Sequence, residues 1–299
     1  GGFMNIECLK YFQKIAKIKS ISKVANKSHI SQPALSQQIQ KLEESLGKKL
    51  FIRSNKGVKL TAAGEIVLKY ADNIVRTYDK MISDLKDEEK KEIKIEGEFS
   101  IATYCLPCAL VSMQKKFPSH DYNLISSTSD EIEQDVLNDI CEIGFITRPS
   151  REKELISEDV INEKVILISP NNYDLPEKIE LKDILEHKLI ILKDSCIIKE
   201  NLRDALADIG YSFNDLDIIA KLETTEAIKT LVQKGYGAAL VPYNSVKEEY
   251  STEELQISRI KDYNLDYDIY MLRKSAENLS NDIKEFIKGF KELGNNICC

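Results

Sequence analysis

The sequence predicts a winged helix-turn-helix head, all-α apart from its wing, joined by one long helix to an α/β body. Three observations lead to that fold class. Two short amphipathic segments and a capped third lie within residues 6–47, an unbroken helical stripe of apolar residues follows, and strand-like runs then alternate with helical ones.

The size and composition fit this division. The chain has 299 residues, 42% of them hydrophobic and 30% charged. That is ordinary globular composition, with length for two or three domains. No apolar run approaches the roughly 18–20 residues that cross a bilayer. The opening Gly1-Gly2-Phe3 before Met4 lacks the basic flank and apolar stretch of a signal peptide and reads as an expression scar. A soluble, cytoplasmic protein without a membrane partner is therefore expected. Cys8, Cys105, Cys108, Cys141, Cys196, Cys298 and Cys299 are odd in number and scattered, which predicts reduced thiols rather than a disulfide framework.

The net charge of −7 conceals an asymmetry. Residues 1–62 hold eleven lysines and one arginine against Glu7, Glu43 and Glu44, a net +9, which leaves −16 for residues 63–299. A basic head on an acidic body is the footprint of a protein that meets phosphate at one end only.

In the head, Ile6, Leu9, Phe12, Ile15 and Ala16 recur at helical spacing and predict a first helix with a lysine-rich outer face. A second short helix follows Ser20, buries Ile21, Val24 and Ala25, and stops near Ser28-His29. After a tight turn, Ser31 offers an N-cap oxygen, Pro33 sits in the first turn of the third helix, and Gly47 ends it. Leu35, Ile39, Leu42 and Leu46 form the expected buried stripe, which turns Gln32, Ser36, Gln37 and Gln40 outward. Glutamine can pair bidentately with adenine and serine can bond several base edges, so this face suits the major groove of double-stranded DNA, with Ser31 and Pro33 at its leading end. Lys49 to Arg53 and Val58 to Leu60 then read as two strands around the turn Ser54-Asn55-Lys56-Gly57. Arg53, Lys56 and Lys59 on this wing would meet the phosphate backbone or the minor groove.

The stretch Ser20 to Gly64 resembles the LysR-type transcriptional regulators. The residues that carry the likeness are Val24-Ala25, Ser31 to Ser36, Gln38-Ile39, Leu42-Glu43, Leu46-Gly47, Leu50-Phe51, Arg53 and Leu60-Thr61-x-x-Gly64. That family's third helix usually has arginine where this chain has Gln37, and often where it has Gln40. The resemblance implies a transcription regulator rather than an enzyme, with dimers that often join into tetramers and with RNA polymerase as a possible partner.

Beyond Thr61, Val67, Tyr70, Ile74, Met81 and Leu85 recur at steps mostly of three and four, as far as the charge run Asp87 to Glu92. About 28 residues of helix would reach ~42 Å, longer than a small head needs, so a second copy of the chain is the simplest partner for this stripe.

Strand-like runs follow at Phe99–Thr103, Ile143–Thr147, Val165–Ser169, Leu189–Leu192, Ile218–Leu222, Ala238–Val241 and Tyr267–Leu272. Helical patterns lie around 108–117, 131–138, 198–209, 225–234 and 279–293, which together predict mixed, mostly parallel sheets. The resemblance continues through Phe117-Pro118, Gly144-Phe145-Ile146 and Val232 to Pro242. It implies two periplasmic-binding-protein-like lobes with a small-molecule effector in the cleft between them. The expected division is a DNA-binding domain at 1–62, a linker helix at 63–92, a first lobe at 93–164 plus 266–299, and a second lobe at 165–265.

Ligands of open α/β sheets bind at the carboxyl ends of strands, near helix N-termini. This places Thr103, Tyr104, Cys105, Ser127, Thr128 and Thr147 of the first lobe, and Ser195, Cys196, Thr224 and Thr225 of the second, at the cleft. The polar loop that the family usually has after Ala102 is replaced by Tyr104-Cys105-Leu106-Pro107-Cys108. Cys105 and Cys108 have dithiol spacing, and Cys196 lies near where the peroxide-sensing branch of the family keeps its reactive cysteine. A thiol-based sensor or thiol-disulfide enzyme using these three is thus the alternative function. Cys141 reads as core, and His29, His120 and His187 are too scattered for a catalytic or metal pattern. Gly235 and Gly237 precede a strand rather than follow one, so no dinucleotide loop is read there. No cofactor and no metal are expected.

Overall fold

The computed structural model describes residues 5–54, 57–85, 92–171, 173, 175–193, 197–275 and 279–294. The chain splits into two compact units whose main break lies near residue 90.

The head begins with α1 (Ile6–Ile18), α2 (Ile21–Lys27) and α3 (Gln32–Leu46). Each has an oxygen cap: Asn5 accepts from Glu7 N, Ser20 from Lys23 N and Ser31 from Ala34 N. A cap of this kind contributes roughly 1 kcal/mol. Gly47 ends α3 at φ 64, a left-handed conformation that costs glycine little. Phe12, Ile15, Val24, Leu35 and Ile39 are fully buried where the helices meet. The wing, β1 (Phe51–Ser54) antiparallel to β2 (Gly57–Leu60), closes the core from one side, with the rings of Phe12 and Phe51 5.0 Å apart.

One member of the expected stripe is misplaced. Leu46 is 39% exposed, and Glu43, only 4% exposed, takes the inward position at that turn. The reason is hydrogen bonding. The Glu43 carboxylate accepts from the backbone N–H groups of Leu50 (2.9 Å) and Phe51 (3.2 Å), where the wing begins, and pairs with Lys49 at 2.7 Å. Burial pushes the Glu43 pKa up, but Lys49 and the two N–H donors together outweigh it and hold the carboxyl below its ordinary value.

The linker is α4 (Ala62–Asp84), whose 23 residues span about 34 Å. Ala71 and Val75 on one side are buried in the head core, and Lys10 on α1 pairs with Asp79 at 2.8 Å. Tyr70, Ile74, Met81 and Leu85 of the sequence stripe stay exposed. The charge run from Asp87 to Lys91 lies outside the described residues.

The body opens with β3 (Glu92–Glu98), a π-helical turn at Ile101–Cys105 and α5 (Leu106–Lys116). Next come β4 (Asp121–Ser127), α6 (Ser129–Leu137), β5 (Ile143–Ile146), β6 (Ile156–Glu163), β7 (Val165–Ser169), β8 (Lys178–Ile179) and β9 (Lys188–Leu192). The chain continues through α7 (Ile197–Asp208), β10 (Asp217–Leu222), α8 (Thr225–Gln233), β11 (Ala239–Pro242), α9 (Lys247–Ser251), β12 (Gln256–Ile260), β13 (Tyr267–Arg273) and α10 (Asn281–Leu293). One lobe holds a five-stranded sheet ordered β4-β3-β5-β13-β6. The other holds β11-β7-β12-β8 and the pair β10-β9, which an isolated bridge between Leu189 and Ala238 connects to β11. The lobes are joined where β6 passes into β7 at Glu163-Lys164 and where β12 returns to β13.

Two sequence expectations change here. The first strand of the body is Glu92–Glu98, and the segment predicted as a strand, Phe99–Thr103, is helical. Ile93 and Ile95 alternate inward with period two, but the charged neighbours Glu92, Lys94 and Glu96 disguise the strand, and the apolar run after Gly97 is the helix packing back on it. The sheets are mixed, as expected, but not mostly parallel: pairing is parallel among β3, β4 and β5, between β9 and β10 and between β8 and β12, whereas β13 pairs antiparallel with both β5 and β6, and β7 pairs antiparallel with both β11 and β12. Antiparallel pairing enters because strands that pass between lobes return beside strands already laid down.

Candidate DNA-contacting face and effector cleft

On α3, burial of Leu35, Ile39 and Leu42 fixes the helix's rotation and leaves Ser31, Gln32, Pro33, Gln37 and Gln40 exposed and Ser36 half-buried. Ser31 spends its hydroxyl on the cap, and the Gln40 side-chain amide donates to Glu44 at 2.8 Å. Beyond the capping Ser31 and Pro33, the polar side chains of this face nearest the helix N-terminus are Gln32, Ser36 and Gln37, and that end enters a groove first. Arg53 and Lys59 are exposed on the wing strands, and Lys56 lies outside the described residues.

Most of the predicted cleft residues fall into three clusters, with Cys105 in a fourth. In the first, the carboxylate of Glu98 at the end of β3 takes the donors of neighbouring strand ends: Thr147 N at 2.9 Å, the Thr147 hydroxyl, and Ser129 Oγ at 2.6 Å. In the second, Glu131 accepts from the hydroxyls of Ser127 (2.9 Å) and Thr128 (2.8 Å). These hydroxyls cap and brace the lobe.

The third cluster spans the lobes. Tyr104 reaches from the π-helical turn to the start of α8, where its hydroxyl donates to Glu226 Oε1 at 3.1 Å and is also hydrogen-bonded by Thr225. Burial and the Glu226 carboxylate raise the phenol pKa well above its usual value. Lys229, one turn along α8 and 6% exposed, lies 5.6 Å from the Tyr104 ring centroid, and its ammonium pairs with Glu226 (2.7 Å) and Glu249 (2.6 Å). Thr224 caps α8 and Thr225 is buried, while Thr103 is exposed. Ser195 and Cys196 lie outside the described residues.

Cys105 is buried and its thiol donates to Glu163 Oε2 at 3.3 Å. Glu163 ends β6 at the passage between lobes, and it also accepts from the backbone N–H of Asn244 (3.1 Å) and from that residue's side-chain amide. Burial pushes the Glu163 carboxyl up despite these donors. One carboxyl thus joins a thiol of one lobe to an asparagine of the other. A cavity of about 530 Å³ runs beside β6 past Glu163, Lys164, Asn244 and Lys247, and none of the sequence-predicted cleft residues lines it.

The proposed dithiol is not a pair. Cys105 is in no disulfide and Cys108 is disulfide-bonded, so the two do not bond to each other, and the expectation of seven reduced thiols fails at Cys108. Spacing along the chain cannot report which sulfurs folding brings together. Cys8 and Cys141 are likewise in no disulfide, and Cys141 is buried in the core as expected.

Sequence reasoning missed Glu98, Glu163, Glu226, Lys229 and Asn244. Glu98 and Glu163 each stand at the C-terminal end of a strand, a position where an acid has N–H donors within reach, and that was their only signal.

Residues 6–65 match the model of the bacterial regulatory helix-turn-helix protein, lysR family, and residues 86–294 match that of the LysR substrate binding domain. A probable RuBisCO transcriptional regulator from Trieres chinensis is 29% identical over 267 residues, covering 86% of each chain. The HTH-type transcriptional regulator SoxR of an Arthrobacter species is 28% identical over 291 residues, covering 96% of this chain and 97% of that one. Among solved structures, CbnR, a LysR family transcriptional regulator, matches with a TM-score of 0.71 at 20% identity over 97% of this chain and 99% of its own. CbnR in complex with its target DNA matches with a TM-score of 0.68, at the same identity and coverage. Among the described residues no helix is long and apolar enough to cross a membrane. With a capped helix-turn-helix and wing in front of a two-lobed α/β substrate-binding body, this chain belongs to the LysR family: it is a DNA-binding transcription regulator that responds to a small-molecule effector.

Proposed function

We propose that the chain reads its operator with Gln32, Ser36 and Gln37 in the major groove, flanked by Gln40, and holds the strands with Arg53, Lys56 and Lys59. The observation that carries this reading is the uncharged, exposed face of a capped α3 whose rotation is fixed by its buried side. The exposed side of α4, with Tyr70, Ile74, Met81 and Leu85, pairs with a second copy, giving a homodimer or homotetramer that engages paired half-sites. The protein works in the cytoplasm without enzymatic turnover, and contact with RNA polymerase belongs to the same reading. Its functional division is 1–62 for DNA, 63–92 for assembly, and 93–164 with 266–299 against 165–265 for the effector.

Affinity for a selected operator and for random duplex tests the head. Gln32→Ala should reduce the preference between them by about tenfold, since a good base contact discriminates by roughly 1–3 kcal/mol. Arg53→Ala should weaken both about equally. Equal losses on both duplexes for Gln32→Ala would remove that residue from the base-reading set.

The effector enters where Tyr104 meets Thr225, and replaces the tyrosine's contacts with α8. The donors of Ser127, Thr128 and Thr147 are taken by Glu131 and Glu98, which favours a ligand that itself presents hydrogen-bond donors to these carboxylates. A compound that binds the native state raises the melting temperature. In a metabolite screen read by thermal shift, the hit's stabilisation should be lost in Thr225→Val. A hit whose shift survives that change would place the effector in the cavity beside β6 instead.

A second reading, a thiol-based sensor, is favoured by one observation, the disulfide at Cys108. Operator affinity that changes with dithiothreitol in the wild type and not in Cys108→Ser would support it.

A further inference from the structure

His120 follows α5 and leads into β4, while Asp282 and Glu285 lie one turn apart at the start of α10. The imidazole is 5% exposed and held on two sides: it stacks on Phe117 at 5.1 Å with an interplanar angle of 11°, and its Nδ1 is 3.1 Å from the Tyr122 hydroxyl. Its other nitrogen, Nε2, faces Glu285 Oε2 at 3.4 Å and Asp282 Oδ1 at 3.9 Å, and the three atoms all lie within 4.8 Å of one another.

These distances suit neither a neutral hydrogen-bond set nor a tight ion pair. A charge-assisted N–H···O bond closes to about 2.7–2.9 Å, well inside the separations here. Ligand atoms bonded at ~2.0–2.1 Å to one ion stand about 3.3 Å apart at a tetrahedral angle, so Glu285 Oε2 already has ligand spacing from Nε2, and Asp282 Oδ1 would close in by about half an ångström on binding. Acidic residues at a helix N-terminus are stabilising by themselves, which accounts for Asp282 and Glu285. It does not account for a buried imidazole oriented so that one nitrogen meets them while a tyrosine hydroxyl engages the other. That outer hydroxyl has the position of a group that fixes the tautomer and orientation of a metal-ligating histidine. One nitrogen with two carboxylate oxygens fits a borderline-soft ion, whereas calcium and magnesium call for all-oxygen sets.

We propose that His120, Asp282 and Glu285 bind a divalent transition-metal ion of the zinc class, which clamps α10 to the edge of the first lobe. Glu285 supplies the exposed ligand and the route of entry. The proposal is independent of where the effector binds.

The test is titration of the full-length chain with Co²⁺, followed by visible d–d absorption and by near-ultraviolet thiolate charge transfer, with melting measured in parallel in Zn²⁺. We expect one equivalent of Co²⁺ bound without a thiolate band, and a melting temperature raised by Zn²⁺. Both His120→Gln and Glu285→Gln should weaken binding at least tenfold and abolish the Zn²⁺ shift. Because Glu285 is exposed, its variant tests the site even if the histidine variant misfolds. No binding at millimolar Co²⁺, a thiolate band accompanying all the bound metal, or undiminished affinity in Glu285→Gln would overturn the proposal.

Discussion

Gly64→Ala should destabilise the head by about 3 kcal/mol or more and abolish operator binding at ordinary protein concentrations. A Cβ at this position would lie 2.2 Å from the Leu50 carbonyl oxygen and 2.9 Å from Leu60 Cδ2. The carbonyl cannot retreat, because it accepts the Thr61 N–H at 2.9 Å and belongs to a residue that is fully buried. The same junction is tied by the Thr61 hydroxyl, which donates to Lys49 O at 2.7 Å and accepts from Gly64 N at 2.9 Å. The wing and the first turn of α4 are therefore locked together where glycine alone fits. Urea denaturation followed by circular dichroism checks the outcome, with exposed Ala62→Ser as a control expected within about 0.5 kcal/mol of wild type. Wild-type stability in Gly64→Ala would mean that this packing is wrong.

The second large effect is on DNA binding. Affinity for the operator should fall by roughly a thousandfold or more between 50 and 200 mM salt, the loss expected for a protein making about 6–10 phosphate contacts. The head carries +9 over residues 1–62, and Lys23, Lys27, Lys41, Lys48, Arg53 and Lys59 are all exposed. In the proposed dimer two heads would double that supply of cations, while the net −16 of residues 63–299 would repel DNA. Each lysine or arginine that meets a phosphate releases counterions, and the logarithm of affinity then declines linearly with the logarithm of salt concentration. A filter-binding or anisotropy titration at several salt concentrations gives the slope. A slope near zero would contradict the head as a phosphate-contacting element.

The head was almost entirely legible in the sequence. Its helices carry their own boundaries in Ser20, Ser31, Pro33 and Gly47, and its core follows from apolar spacing, because caps and helical periodicity are local properties of the chain. Leu46 and Glu43 mark the limit. Which of two neighbouring positions turns inward was settled by backbone N–H groups of the wing that needed an acceptor, and periodicity has no knowledge of them.

In the body, helices and buried strands were legible, while β3 was hidden by its charged alternate residues and β6 and β12 carried no strong apolar run. The candidate cleft divided in the same way. Strand ends and helix starts, and so Thr147, Thr224 and Thr225, could be placed from pattern alone. That Glu98 and Glu131 consume lobe-one donors, that Tyr104 docks on α8, and that Cys105 faces Glu163 could not.

By itself the sequence determined the class of fold, the family and the face of α3 left exposed, because those rest on interactions between residues a few positions apart. Only the tertiary structure decided the partners of Tyr104, Cys105 and Glu163, the separation of Cys105 from Cys108, and the meeting of His120 with α10. Side-chain chemistry at these places is set by neighbours distant in the chain, and the distance between them exists only once the sheets have formed.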